Sequence, residues 1–156
     1  MFQYGSNSTK KILECRQELQ RVIHRVAHYY NMSVVCGHRS KAEQDDAVAR
    51  RVSKLNWPNS KHNANPSNAF DAYPYHARYG SLTEDALVVT KIMQMTSRTY
   101  GEVLAFIREE YIAMAQTVKV CAQIEGVALR WGGDWDMDSD RLDQSFNDLA
   151  HFELVE

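Results

Sequence analysis

No stretch of this chain approaches the ~18 consecutive apolar residues that a membrane-spanning helix needs, and its opening residues, MFQYGSNSTKK, lack the charged and then apolar segments of a secretory leader. Neither membrane insertion nor signal-directed export is therefore expected. An excess of either charge is also missing: 18 Lys and Arg stand against 20 Asp and Glu, for a net charge of −2 and a pI near 6.3. So balanced a chain has no basic field to capture polyanions, and nucleic acid is not an expected partner. Cysteine is scarce and odd in number. Cys15, Cys36 and Cys121 lie far apart, which suits reduced thiols in a cytosolic compartment better than a disulfide framework, and none has the spacing of a zinc-binding pair. No internal repeat or low-complexity tract is present.

What remains is ordinary for a globular protein, with 44% hydrophobic and 24% charged residues. A chain of 156 residues is most simply one domain, 1–156, able to bury ~68–70% of the surface its unfolded form exposes. Ser8 or Thr9 caps a first helix, in which Ile12, Cys15, Leu19, Val22, Ile23 and Val26 recur at spacings of three and four up to Tyr30 and Asn31. Met32 to Cys36 is a short apolar run bounded by Gly37, hence a buried strand that delivers Gly37-His38-Arg39-Ser40 at its end. Ser40 with Glu43 forms a capping box for a second helix reaching about Leu55.

The segment from Asn56 is too rich in Asn, Ser and Pro for a helix, and Ala69 to Tyr75 is a strand leaving that loop. Ser81 and Glu84 offer a capping box for a helical region through Met95, Gly101 marks a break, and a further helix runs from Glu102 to about Gln123, closed by Gly126. The middle third, about 81–125, is thus a helical insertion. Val127 to Trp131 and Ala150 to Val155 complete the strands. The fold expected is α+β: a small, mainly antiparallel sheet carrying the site at or beside its edges, with helices packed against one side.

The chemistry concentrates in three places. Ser60-x-His62 and Asp71 bring an imidazole and a carboxylate, two of the usual zinc ligands, into one loop and strand. A third ligand must come from elsewhere, and His151 is the candidate, three residues after Asp148 at the start of an alternating strand. The third place is Asp134-Trp-Asp-Met-Asp-Ser-Asp140, whose first three carboxylates fit the opening of a calcium loop; Ser139 stands where that loop needs glycine and Ser145 where it needs a bidentate glutamate, so Ca2+ is the weaker expectation.

Taken together, Ser60-x-His62, Ala69-x-Asp71, Asp148-x-x-His151-Phe-Glu, Arg39 in Gly-His-Arg-Ser, and Arg130-Trp-Gly-Gly-Asp-Trp135 resemble the zinc peptidases that cut peptidoglycan peptides. That family includes D-alanyl-D-alanine carboxypeptidases and dipeptidases and the L-alanyl-D-glutamate endopeptidases of bacteriophages. The resemblance runs from about Val34 to the C-terminus and is interrupted between Tyr75 and Ala128. The family usually places six residues between its first ligand histidine and the aspartate; here eight intervene, Asn63 to Phe70, as a two-residue loop insertion would give.

The resemblance implies one Zn2+ per chain held by His62, Asp71 and His151, with Asp148 as general base and Arg39 as the cation that binds substrate and steadies the oxyanion. It puts Ser60 beside a ligand or substrate, and Trp131, Asp134 and Trp135 in the wall of the cleft. The activity implied is cleavage of the peptidoglycan stem peptide at the L-alanyl-D-glutamate bond, by a phage endolysin in host lysis. Such a protein is made in the host cytoplasm as a monomer and reaches the cell wall in the periplasm after release by a holin. The alternatives are a D-alanyl-D-alanine carboxypeptidase and a non-catalytic, zinc-stabilised wall-binding domain.

Overall fold

Phe70 and Phe152 face each other on neighbouring strands, their rings stacked 5.0 Å apart and wholly buried. The computed structural model of the chain describes residues 1–140 and 143–155. Its strands β1 (Met32–Cys36), β2 (Ala69–His76), β3 (Gly80–Ser81), β4 (Leu129–Trp131) and β5 (His151–Leu154) form one antiparallel sheet in the order β1-β2-β5-β4, with β3 paired to β2. Successive side chains on a strand point to opposite faces, so Val34, Ala72, Trp131 and Leu154 join the two phenylalanines in the core. Asp71, Tyr73, Arg130, His151 and Glu153 occupy the other face. Each phenylalanine buried in this way contributes about 1.5–3 kcal/mol.

Helices cover the apolar face. They are α1 (Ser6–Leu13), α2 (Gln17–Val26), α4 (Ala86–Thr96) and α5 (Tyr100–Glu125), whereas α3 (Lys41–Ala49) gives no residue to that core and stands on the other side, beside His62 and Asp71. Val103, Ile107, Met114 and Val118 recur at helical spacing along α5 and are fully buried, and this stripe lets α5 pack on α2, α4, β2 and β4 at once. The helical middle third is therefore part of the core's cover, as its periodicity suggests.

Several boundaries differ from those the sequence suggests. The first helix is two: its ladder stops at Leu13 because the backbone turns to meet Ser67, with Arg16 N–H donating to Ser67 O (3.0 Å) and Ser67 N–H to Glu14 O (2.9 Å). The N-cap of α1 is Gly5, and Ser8 is buried inside the helix. α3 ends at Ala49, short of Leu55, where Arg51 enters the left-handed region at φ 60°. α4 is capped by Asp85, whose carboxylate accepts the Leu87 N–H, and not by Ser81. The break before α5 falls at Ser97 (φ 58°), ahead of Gly101, and Thr99 with Glu102 supplies the capping box. Gly126, at φ 67°, closes α5. The strands carrying Asp71 and His151 are the two inner ones, so these residues sit at the middle of the sheet and not at its edges.

Candidate metal centre

Asp71 of β2 and His151 of β5 are Cα partners, and pairing across an antiparallel ladder brings their side chains together on the polar face. His62 reaches them from a 3-10 turn, Lys61–Asn63, that Ser60 caps by accepting the His62 N–H (3.3 Å). A backbone bond from Arg39 N–H to His62 O (2.8 Å) ties that turn to the end of β1. The result is a tight triangle: His62 Nε2 lies 3.1 Å from Asp71 Oδ1 and 3.2 Å from His151 Nδ1, and His151 Nδ1 lies 3.0 Å from Asp71 Oδ1.

The far side of each ring fixes its tautomer. His62 Nδ1 donates to Gly37 O (2.7 Å), an acceptor only, and His151 Nε2 donates to the Glu153 carboxylate (2.9 Å). Both rings therefore turn the other nitrogen toward Asp71. A backbone carbonyl or a carboxylate behind each imidazole is the arrangement that orients metal-ligating histidines and raises their basicity. Glu153 is itself held by Arg130, in an ion pair between the two side chains.

The charges show what this pocket attracts. Burial alone would lower the His62 imidazole, but the adjacent Asp71 carboxylate outweighs it and lifts the group to about 10. His151, equally buried, is raised to about 9 by its hydrogen bonds to Asp71 and Glu153. Burial would raise Asp71, yet the two imidazoles hold it far below the usual carboxylate range. Glu153 is driven down to about 2, its burial outweighed by His151 and Arg130. An anionic centre walled by two imidazoles draws in positive charge, whether protons or a metal ion.

These residues line a cleft of about 1070 Å³. Asp148 lies in it, with its carboxyl pushed upward by burial and then by the nearby Asp71, and among the described residues it accepts no side-chain hydrogen bond. Arg39 also lines the cleft, its guanidinium donating to Asp71 Oδ2 (3.4 Å), the oxygen turned away from the imidazoles, and to Gln44 (3.2 Å). Trp135 forms a wall, its ring 5.6 Å from that of His151. Two residues expected there are elsewhere. Trp131 shares the face of its partner Phe152, so it is buried in the core, with its indole N–H on Leu149 O (2.9 Å). Asp134 is buried against α5 in an ion pair with Lys119 (2.8 Å) and accepts the Ser139 N–H.

Cys36 carries a signal the sequence did not disclose. Between Val34 and Cys36 the register shifts, so that Val34 pairs with Ala72 and Cys36 with Asp71, and this bulge swings the Cys36 thiol onto the polar face. Cys36, His62 and Asp71 together form a group whose donor atoms lie within 4.8 Å of one another and that could hold a metal ion. The thiol, however, is 3.7 Å from His62 Nδ1, the nitrogen committed to Gly37, whereas His151 faces Nε2. His151 therefore faces the same ring nitrogen as Asp71, and Cys36 does not. Asp134, Asp136 and Asp138 also lie within 4.8 Å of one another, although Lys119 already neutralises Asp134.

A family model described as phage L-alanyl-D-glutamate peptidase matches residues 1–108, a span that holds Arg39, His62 and Asp71 and stops before Asp148 and His151. The L-alanyl-D-glutamate peptidase of Escherichia phage T5 is 27% identical over 160 residues, covering 99% of this chain and 98% of that one. In fold, the chain is similar to the L-Ala D-Glu endopeptidase ChiX of Serratia marcescens, with a TM-score of 0.66 and 22% identity over 97% of this chain and 89% of that structure.

Proposed function

This chain belongs to the phage L-alanyl-D-glutamate peptidase family, and from that membership we propose that it hydrolyses the amide between L-alanine and D-glutamate in the peptidoglycan stem peptide, as a zinc enzyme of host lysis. The observation that carries this reading is the triangle of His62, Asp71 and His151. Ligand atoms ~2.0–2.2 Å from a tetrahedral zinc stand ~3.3 Å apart, close to the 3.0–3.2 Å found here. Two imidazole nitrogens and one carboxylate oxygen are a catalytic zinc set, with a fourth position left for water. Zinc held there supplies Lewis acidity, lowering the pKa of water towards ~7 and polarising the scissile carbonyl.

The chain's own groups do the rest. Asp148 accepts the proton of the attacking water and passes it to the leaving amine nitrogen, and burial, by raising its carboxyl, makes it a stronger base than an exposed aspartate. Arg39 holds Asp71 Oδ2, so that Oδ1 faces the imidazoles, and its charge steadies the oxyanion. Gly37 and Glu153 keep the two rings in register, and Ser60 shapes the turn that presents His62. The protein acts as a monomer on the cell wall, released from the host cytoplasm by a holin.

Digestion of purified peptidoglycan, with mass spectrometry of the fragments, tests the reading. New D-glutamyl amino termini should appear, vanish on chelation and return with zinc. Release of free D-alanine with L-alanyl amides intact would replace it by a D-alanyl-D-alanine carboxypeptidase.

A further inference from the structure

One wall of the cleft is a column of stacked groups. Trp135 lies 5.6 Å from the His151 ring, Phe146 stacks on Trp135 at 6.3 Å and 18°, and Lys54 places its ammonium 4.1 Å from the centre of the Phe146 ring. Lys54 arrives from the opposite bank, the loop after α3, while Trp135 and Phe146 belong to the segment before β5. Trp135 is itself anchored, its indole N–H donating to Phe146 O (2.7 Å).

Four of the other cleft cations are paired with carboxylates, and Lys61 is not without a partner either. Arg39 is bound to Asp71, Arg50 to Asp46, Arg130 to Glu153 and Lys11 to Glu14. Lys54 has the Phe146 ring beneath it and, among the described residues, no carboxylate. The ring attracts the ammonium from one side, and the exposed ammonium is left able to pair with an anion on its other side.

We propose that Lys54, seated on Phe146, binds a carboxylate of the peptide on the side of the cut bond that leaves with the new amino group, and so favours peptides that extend beyond the residue next to the cut. The proposal rests on the stem-peptide reading above. The steps along the column put the ammonium no more than about 16 Å from the His151 ring, a reach of up to about five extended residues at ~3.3 Å each. The chemistry selects the side. Upstream of the L-alanine the stem joins the glycan through an amide and carries no free carboxylate, whereas the downstream residues carry several and end in one.

Two synthetic stem tetrapeptides, identical except for a C-terminal carboxylate or carboxamide, provide the test, with kcat and KM measured for the zinc-loaded parent, K54A, K54R and F146A. The parent should prefer the carboxylate about 5-fold through KM, the upper range for a partly exposed ion pair, and the preference should shrink between 0.1 and 0.5 M salt. K54A and F146A should cleave both peptides with equal KM, and K54R should restore a preference. A merely structural lysine would not alter this ratio. Equal KM values for the parent, or an undiminished preference in K54A, would overturn the subsite while leaving the peptidase reading intact. No cleavage of either peptide by the parent would overturn both.

Discussion

Asp71 and His151 sit directly opposite each other across the β2–β5 ladder, 80 residues apart in sequence, with Oδ1 and Nδ1 separated by 3.0 Å. The register that places Phe70 against Phe152 in the core is the same register that places these two on the polar face. Hydrophobic packing of the sheet therefore assembles this side of the candidate metal centre, and His62 completes the triangle from the neighbouring turn.

A metal bound by residues from three parts of the chain should be present at one equivalent and should hold those parts together. After zinc reconstitution, the purified protein should contain one zinc per chain by metal analysis. His62→Ala or Asp71→Ala should lower zinc content, activity and melting temperature together, because binding energy for a site absent from the unfolded chain is folding energy. Less than half an equivalent in the parent would sink the zinc assignment.

Asp148 has a different task in the proposed mechanism, and its loss should look different. Asp148→Ala and Asp148→Asn should retain zinc, since all three ligands remain, yet lose ~10² to 10⁴ in rate. The folded-state pKa of Asp148 is raised, so ionisation in the folded protein is disfavoured relative to the unfolded chain. The favourable contribution of the neutral carboxyl is present below the usual aspartate range, near 3.9, and is lost as pH rises through the elevated value. In metal-free protein, Asp148→Asn should therefore melt above the parent at pH 7, with the gap closing near pH 4. Melting curves in chelator at the two pH values read this directly.

Glu153 stands behind His151 and would act on a metal held by the proposed ligands only through that ring. Removing its carboxylate leaves the His151 Nε2–H and Arg130 without their acceptor. Glu153→Ala should weaken zinc binding by ~10- to 100-fold, the usual effect of losing such a partner, and Glu153→Gln, which keeps an acceptor, should lose less. Competition titration with a chromophoric chelator distinguishes them; equal affinities for parent and Glu153→Ala would refute the role.

Gly132 is required by close approach. A Cβ there would lie 2.3 Å from Asp148 O, and the Gly132 backbone exchanges bonds with Asp148 N–H and His151 O, both at 2.8 Å. Gly132→Ala should cost about 1–3 kcal/mol, as overpacking does, at roughly 2–4 °C of melting temperature per kcal/mol. It should also lower activity, since the displaced backbone carries both Asp148 and His151. An alanine variant as stable and active as the parent would show that the loop yields freely.

The sequence by itself determined most of what is local or chemical. The apolar run Met32–Cys36, the Ser40–Glu43 capping box and the closure of α5 at Gly126 follow from side-chain chemistry over a few residues. His62, Asp71 and His151 stood out as residue types that zinc takes, set in the motifs Ser60-x-His62, Ala69-x-Asp71 and Asp148-x-x-His151 that carry the family resemblance. Tertiary structure decided what depends on distant partners. The first helix divides at Cys15 because Ser67 supplies hydrogen bonds that compete with its ladder. Trp131 and Trp135 look alike in sequence; pairing with Phe152 turns the first into the core, and the intervening turn delivers the second to the cleft. Cys36 reaches the polar face through a bulge that strand alternation alone does not reveal, because alternation gives two faces without saying which will be buried or where the register slips.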